Sequence, residues 1–130
     1  MTTILNITKT EGRVTTLHFD GHLDAQTENL AVESARTSKN AGAQFLLIDM
    51  SGVEMISSAG LRALHSIYKL FTPHEEERAW VADHPDQTYK SPYFKLAAAS
   101  PQVNYVLSIS GFLQNIPIYP SVKEASDSFA

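Results

Sequence analysis

Two adjacent serines, Ser57 and Ser58, form the part of this sequence whose residue types and position are best suited to chemistry. They follow an apolar run, residues 45–49, that is typical of a strand buried on both faces, and they precede a segment with helical periodicity. At a helix start, one serine can accept a hydrogen bond from a free backbone N–H while the other faces solvent. The positive end of the helix dipole would also tolerate a dianionic group such as phosphate. The local pattern alone favours a simple helix cap over a modified serine.

The segment 59–71 is predicted to be a single helix that begins immediately after Ser58. Its apolar side chains recur at helical spacing on one side, and its polar side chains fall on the other. We therefore expect burial of Leu61, Leu64, Tyr68 and Phe71.

An enzymatic role for the serine pair finds little support in the sequence. A nucleophile elbow needs the pattern Gly-x-Ser-x-Gly, and Ile56 occupies the position of its first glycine. The sequence has no cysteine, which excludes thiol catalysis and zinc–thiolate sites, and it has no glycine-rich phosphate loop. The five histidines are scattered, so a metal site would require the segment around His74 and His84 to fold about an ion. We predict neither a catalytic site nor a metal or other cofactor.

The composition is that of an ordinary globular domain. With 130 residues, 43% of them hydrophobic and 18% charged, the chain can build one substantial core. A formal net charge of −4 and the lack of a Lys/Arg cluster argue against nucleic acid as a direct partner. The first residues lack the pattern of a signal peptide, and no apolar run approaches membrane-spanning length. We expect a cytoplasmic protein without membrane insertion.

The elements before the serine pair alternate between strand and helix patterns. Residues 4–7 and 14–19 predict a hairpin, after which residues 20–24 are expected to leave the sheet. Residues 27–41 predict a helix with Thr27 as its cap and Gly42 just beyond its end. The strand and the helix around the serine pair follow, and this order favours parallel strands covered by helices.

The segment 73–92 is long for a connection in a compact domain. Thr72, Pro73 and Glu75 form a capping-box pattern, which predicts a short extra helix over residues 73–82. Residues 87–92 are expected to form an irregular and mobile loop. The single tryptophan, Trp80, is expected to pack back on the domain rather than to anchor a partner.

The remaining sequence predicts two further strand–helix pairs. Residues 94–99 are a strand candidate, and Ser100-Pro101 is a typical start for a helix that ends at Gly111. Residues 116–119 predict a short edge strand, because prolines lie on both sides of Ile118, and residues 121–129 predict a final helix.

Several of these segments resemble the signature of the STAS domain, a family named after sulphate transporters and anti-sigma factor antagonists. The resemblance lies in Asp49-Met50-Ser51-Gly52-Val53, Ile56-Ser57-Ser58-Ala59-Gly60-Leu61 and Gly21-His22-Leu23-Asp24. Residues 96–112 are also similar to the family, and the resemblance covers nearly the whole chain outside the segment 73–92. In the antagonists the serine two residues before the glycine is the phosphoacceptor, which maps onto Ser58. Many relatives carry an aspartate just before it, where this sequence has Ser57.

The resemblance implies a single α/β STAS domain over residues 1–130, with residues 73–92 as an insertion. It implies a mixed sheet of about four or five strands with helices mainly on one side. It also implies an anti-sigma factor antagonist that binds an anti-sigma factor when unphosphorylated. That partner, a serine kinase, would phosphorylate Ser58 and so end binding, and a phosphoserine phosphatase would restore it. The implied partner-binding residues are Asp24, Ser57, Ala59, Gly60 and Arg62.

Under this interpretation the protein is a kinase substrate and not an enzyme. The alternative is a STAS scaffold that is never phosphorylated, or an accessory subunit of a signalling or lipid-transport assembly. The inserted segment favours that alternative slightly, and it leaves open a homodimer formed through the insertion.

Overall fold

The computed structural model describes residues 4–129, which contain one mixed sheet. Its strands are β1 (Leu5–Thr10), β2 (Thr15–Leu23), β3 (Leu46–Ile56), β4 (Phe94–Ala97) and β5 (Ile118–Tyr119). Their spatial order is β1-β2-β3-β4-β5. β1 and β2 pair antiparallel as the predicted hairpin, and all later neighbours pair in parallel. The predicted α/β class and the mixed sheet are confirmed.

The helices lie mainly on one face of this sheet. In the described residues they are α1 (Glu28–Asn40), α2 (Ser58–Phe71), α3 (His74–Asp83), α4 (Pro101–Ile109), α5 (Val122–Asp127) and a 3-10 turn (Gly111–Leu113). Apolar side chains of α1, α2 and α4 share one buried cluster with Ile48 of β3. The preceding residue, Leu47, points to the opposite face and joins Ala125 of α5 in a second cluster. Within residues 4–129, no helix has the length and apolar character needed to cross a membrane.

β2 is longer than the sequence predicts. The expectation that residues 20–24 leave the sheet is wrong for residues 20–23, and only Asp24 lies outside the strand. The strand pairs with β3 as far as Leu23, which lies opposite Ile56. The register of the β2–β3 pairing shifts on either side of Asp20 and Gly21. Gly21 has a φ of +133°, and a Cβ there would lie 2.0 Å from the carbonyl oxygen of Ile4. The glycine therefore lets the hairpin strand pass close to its partner instead of marking a turn.

β3 and α2 are joined without a loop. β3 extends through Ile56, well beyond the predicted run at residues 45–49, so a single residue separates the strand from α2. α2 begins at Ser58, one residue earlier than predicted. Leu64, Tyr68 and Phe71 are buried, and Leu61 is partly buried against the same core, as its spacing predicts.

The inserted segment contains the predicted short helix, but its start differs from the prediction. α3 has Pro73 at the N-cap position, and no side chain caps it. The Thr72 hydroxyl hydrogen-bonds the Ser91 hydroxyl instead, at 2.7 Å in a buried position. Ser91, nineteen residues away, thus replaces the local capping box as the partner of Thr72. Leaving a buried hydroxyl unpaired costs more free energy than leaving an exposed helix end uncapped.

Tyrosine side chains of the domain attach α3 through its carboxylates. The Tyr68 hydroxyl donates to Glu77, and the Tyr93 hydroxyl donates to Glu76 at 2.7 Å. The Trp80 ring packs on residues of its own segment, stacked on His84 and 5.5 Å from the ring of Tyr89 in an edge contact, so its predicted packing on the rest of the domain stays a prediction. The stretch 87–92 is irregular, as predicted, yet Tyr89 within it is only 5% exposed. The loop is therefore anchored at that residue.

The C-terminal elements are shorter than predicted. β4 stops at Ala97, because Ala98 adopts a φ of +62° that a strand cannot continue. Ser100 caps α4 by accepting a hydrogen bond from the Val103 N–H at 3.2 Å, which confirms the predicted helix start. β5 contains only Ile118 and Tyr119.

The tyrosine contacts at α3 predict an alkaline loss of stability. Burial, and then the hydrogen bond to Glu77, raise the pKa of the Tyr68 phenol, and burial raises the pKa of Tyr89 to about 12. From about pH 10 upward the unfolded chain loses these protons while the folded chain keeps them. The folded state then binds more protons, so the free energy of unfolding falls as the pH rises above about 10.

Tyr68→Phe should flatten that alkaline slope by up to about 1.4 kcal/mol per pH unit, and it should cost about 1–2 kcal/mol at neutral pH through the lost hydrogen bond. Urea denaturation at a series of pH values measures both effects. The matched control is Tyr105→Phe, which removes a phenol from a residue that is 65% exposed on α4, and it should leave the alkaline loss of stability in place. An unchanged slope in Tyr68→Phe would contradict the burial of its phenol.

Candidate functional site

The start of α2 is held by Ser57, which is the helix cap. Ser57 has an extended backbone, and its side-chain oxygen accepts a hydrogen bond from the Gly60 N–H at 3.3 Å. Its own N–H donates to the carbonyl of Leu23 at 3.0 Å, at the end of β2. Of the two serines, Ser57 therefore does the capping.

Ser58 occupies the first position of α2, and its side chain is exposed to solvent. The first turn of α2 contains no acidic residue, so the positive end of the helix dipole is not neutralised from within the helix. A hydroxyl in this position is accessible to a modifying enzyme. A phosphate on it would meet backbone N–H groups that have no partner inside the helix.

Ala59 and Gly60 hold the helix start against the sheet. Ala59 is 8% exposed, and Gly60 is buried as well. A Cβ built on Gly60 would lie 2.2 Å from the Leu23 carbonyl oxygen and 2.8 Å from a side-chain carbon of Ile56. No larger residue fits without moving backbone, so the glycine permits the close approach of α2 to β2. The partner-binding role predicted for Ala59 and Gly60 stays a prediction.

Asp24 lies at the same edge of the sheet as the α2 start, because it follows the residue whose carbonyl accepts the Ser57 N–H. Its carboxylate accepts a hydrogen bond from the Gln26 N–H at 3.0 Å, a local contact at the entry to α1. The Thr27 hydroxyl donates to the carbonyl of His22 at 2.8 Å and accepts from the Asp24 N–H at 3.0 Å. Thr27 thus occupies the predicted cap position of α1, but its side chain hydrogen-bonds the loop between β2 and α1 instead of capping the helix.

Arg62 forms a two-pronged ion pair with Glu28. Its Nε donates to Glu28 Oε2 at 2.7 Å, and its Nη2 donates to Oε1 at 2.8 Å. The hydrogen bond from Arg62 lowers the pKa of Glu28, and the same bond raises the pKa of Arg62. The Arg62 side chain is 63% exposed and the Glu28 side chain 20%. The pair joins the first turn of α1 to the second turn of α2.

Sequence reasoning identified Arg62 but missed Glu28 as a member of the site. The only local signal at Glu28 is a carboxylate in the first turn of a predicted helix, which is where acidic residues are favoured in general. Nothing in the sequence relates it to a residue thirty-four positions later.

A second polar cluster lies on the sheet face opposite α2. His18 Nδ1 contacts Asp49 Oδ2 at 2.8 Å, and His18 Nε2 contacts the Thr10 hydroxyl at 2.9 Å. Burial raises the pKa of Asp49, but the hydrogen bonds from His18 and from the Ser51 N–H outweigh it, so the pKa lies below its usual value. These contacts link β1, β2 and β3. Among the residues described, no three His, Asp or Glu side chains are grouped to hold a metal ion.

The family model that matches this sequence is that of the STAS domain, over residues 6–77, which is more than half of the chain. The chain belongs to the STAS family. No functionally curated protein matches it closely. The matched region of this STAS domain runs from β1 through α2 into the first turn of α3, so it includes the whole α2 start.

Several solved structures share the fold of this domain. An anti-sigma factor antagonist from Mycobacterium paratuberculosis is similar with a TM-score of 0.75 and 18% identity, covering 96% of this chain and 93% of that one. An anti-sigma-factor antagonist (STAS) domain protein from Planctomyces limnophilus has a TM-score of 0.60 and 25% identity, with 100% coverage of both chains. The phosphorylated form of the Bacillus cell fate determinant SpoIIAA has a TM-score of 0.59 and 14% identity, covering 95% and 96%.

The two serines should respond differently to substitution by alanine. Ser57→Ala removes the cap and should lower the free energy of unfolding by about 0.5–2 kcal/mol. Ser58→Ala removes an exposed hydroxyl and should change it by less than about 0.5 kcal/mol. Urea denaturation of the two variants beside the wild type measures the difference. A larger loss for Ser58→Ala than for Ser57→Ala would show that the cap has been assigned to the wrong serine.

Gly60→Ala should destabilise the STAS domain by about 1–3 kcal/mol, because the added methyl group meets the Leu23 carbonyl, which cannot move independently of β2. Gly111→Ala is the matched control, since a Cβ at Gly111 has no atom within 4 Å. Thermal or urea unfolding distinguishes the two. Equal stability of both variants would contradict the close approach at Gly60.

Proposed function

We propose that this STAS domain is an anti-sigma factor antagonist that is switched off by phosphorylation of Ser58. When unphosphorylated it binds an anti-sigma factor that is also a serine kinase, and a phosphoserine phosphatase restores binding after phosphorylation. The observation that carries the proposal is the exposed Ser58 hydroxyl at the first position of α2, relieved of capping by Ser57. The protein acts as a substrate and a binding partner in the cytoplasm, without enzymatic activity of its own.

Named relatives support this class of function. The structures from Mycobacterium paratuberculosis and Planctomyces limnophilus are of anti-sigma factor antagonists, and SpoIIAA has been solved in a phosphorylated form. This chain has an exposed serine, Ser58, at the corresponding place in the family signature.

The physical basis of the switch is a local change of charge. A phosphate adds about −1.5 to −2 charge and three acceptor oxygens at a position where the unmodified hydroxyl is small and neutral. The α2 N-terminus stabilises this charge within the domain. A partner that covers Ser58 must desolvate the phosphate or repel it, so its affinity falls without a large movement of backbone.

The proposed contact surface surrounds the α2 start. Asp24, Ser57 and Arg62 would contact the partner around Ser58, and Ala59 and Gly60 would support it from within by setting the position of the helix. Met55, near the end of β3 and two residues before Ser57, is a large apolar residue that is 39% exposed. Burial of this side chain would supply apolar contact area to the complex.

The insertion lies at the other end of α2. The helix has fourteen residues, so its ends are about 21 Å apart. Residues 73–92 are therefore proposed to serve a second contact or self-association, with no part in the phosphorylation switch. A scaffold that is never phosphorylated is the alternative, and it would have the same fold but yield no kinase product.

The test is a phosphorylation and binding assay with candidate anti-sigma factor kinases and ATP. We expect a single phosphate, located on Ser58 by mass spectrometry. Ser58→Ala should accept no phosphate yet bind the unmodified partner with wild-type affinity, because alanine fits wherever serine did. Ser58→Asp should weaken binding, although one carboxylate mimics a dianion only in part.

Ser57→Ala is the matched control, since it removes the neighbouring hydroxyl and leaves Ser58 available. It should still be phosphorylated. Phosphate on Ser57 with Ser58 untouched would reject Ser58 as the site. If every kinase tested phosphorylates its own cognate antagonist but leaves this protein unmodified, the proposed switch is rejected.

A further inference from the structure

Arg62 lies one helical turn after Ser58, on the same side of α2, and is paired with Glu28 of α1 in the unphosphorylated domain. We infer that phosphorylation of Ser58 draws Arg62 from Glu28 to the phosphate, so that the switch exchanges one ion pair for another. The inference rests on the proposed function, because it concerns the phosphorylated state of Ser58. It adds Arg62 as the internal phosphate ligand and Glu28 as the carboxylate that is released.

The helix geometry favours this exchange. Residues four apart on a helix lie about 5–6 Å from each other at Cβ. Long side chains also lean toward the helix N-terminus, which directs the Arg62 guanidinium to the turn that carries Ser58. The anionic residue precedes the cationic one, which is the more favourable order for such a pair.

The relative strength of the two pairs also favours the exchange. The Arg62 side chain is 63% exposed, so it can change its rotamer without unpacking the core. A guanidinium forms two parallel hydrogen bonds with a phosphate as well as with a carboxylate, and the phosphate carries the greater charge. The released Glu28 remains in the first turn of α1, where the helix dipole stabilises a carboxylate. The loss of the old pair is therefore partly offset.

The exchange changes what a partner meets. In the unphosphorylated domain, Arg62 and Glu28 neutralise each other at the junction of α1 and α2. After the exchange, Arg62 neutralises part of the phosphate charge, and Glu28 becomes an unpaired carboxylate four residues after Asp24. A partner therefore meets additional negative charge at the start of α1 as well as at Ser58, over a wider area than the phosphate alone would cover.

The experiment uses the full chain with phosphoserine incorporated at position 58 by genetic code expansion, so it does not depend on any kinase. Phosphorus NMR measures the second pKa of the phosphate, and nitrogen–proton NMR follows the Arg62 Nε–H. Asp24 and Glu28 are the carboxylates at the entry to α1. Asp24 is present in every sample, and Glu28 is present in every sample except Glu28→Gln.

We expect Arg62→Gln to raise the second pKa of the phosphate by at least about 0.3, since a nearby cation favours the dianion. Glu28→Gln removes the competing carboxylate and should lower that pKa. The control Arg36→Gln removes the same charge from an exposed pair with Glu33 on α1 and should leave the phosphate unchanged. In the wild type, the Arg62 Nε–H signal should shift on phosphorylation.

The inference is overturned if Arg62→Gln and Arg36→Gln affect the phosphate equally, or if the Arg62 Nε–H signal is the same with and without phosphate. These outcomes would leave the phosphate bound by the α2 N-terminus alone. Either result is independent of the kinase assay, so the exchange can fail while Ser58 remains the phosphoacceptor. Likewise, the absence of a kinase product would reject the proposed function without changing the NMR result.

Discussion

The backbone carbonyl of Leu23 is the point on which the arrangement of the site depends. It accepts the Ser57 N–H at 3.0 Å, and it lies 2.2 Å from the position that a Cβ on Gly60 would occupy. Because β2 and β3 run in parallel and end in register, the loop that carries Asp24 and the helix that carries Ser58 leave the sheet at the same edge. The sheet thus positions the site directly, with the cap as the only residue between strand and helix.

α2 connects two regions of different chemistry. At its start, an exposed hydroxyl, the positive end of a helix dipole and a guanidinium–carboxylate pair lie close together on the surface. At its far end, tyrosine hydroxyls fix the carboxylates of α3 against the domain. The buried face between them packs on the core, so the helix acts as a rigid spacer. A charge placed at one end therefore acts locally, and the other end is available for separate contacts.

Local patterns account for the parts of this structure that the sequence predicts well. The spacing of Leu64, Tyr68 and Phe71 repeats with the period of a helix, so the buried face of α2 follows from the sequence alone. The Ser100-Pro101 start of α4 likewise depends on interactions within one helical turn. The family signature adds the fold and the candidate serine, because it records residues that a shared backbone requires. For the buried face of α2 and the start of α4, the determining contacts lie within a few residues of one another.

Tertiary contacts decided the remainder. The glycine in residues 20–24 is typical of a turn, but pairing with β3 and β1 keeps residues 20–23 in the sheet. Thr72 is part of a local capping pattern, yet its hydroxyl hydrogen-bonds the buried hydroxyl of Ser91, which folding brings near, instead of capping α3. The sequence alone determined that a serine would cap α2 and that another would be exposed, since both requirements are local. Only the tertiary structure decided that Ser57 is the cap, and that Arg62 meets Glu28, because strand register and the packing of α1 on α2 join residues that no local rule relates.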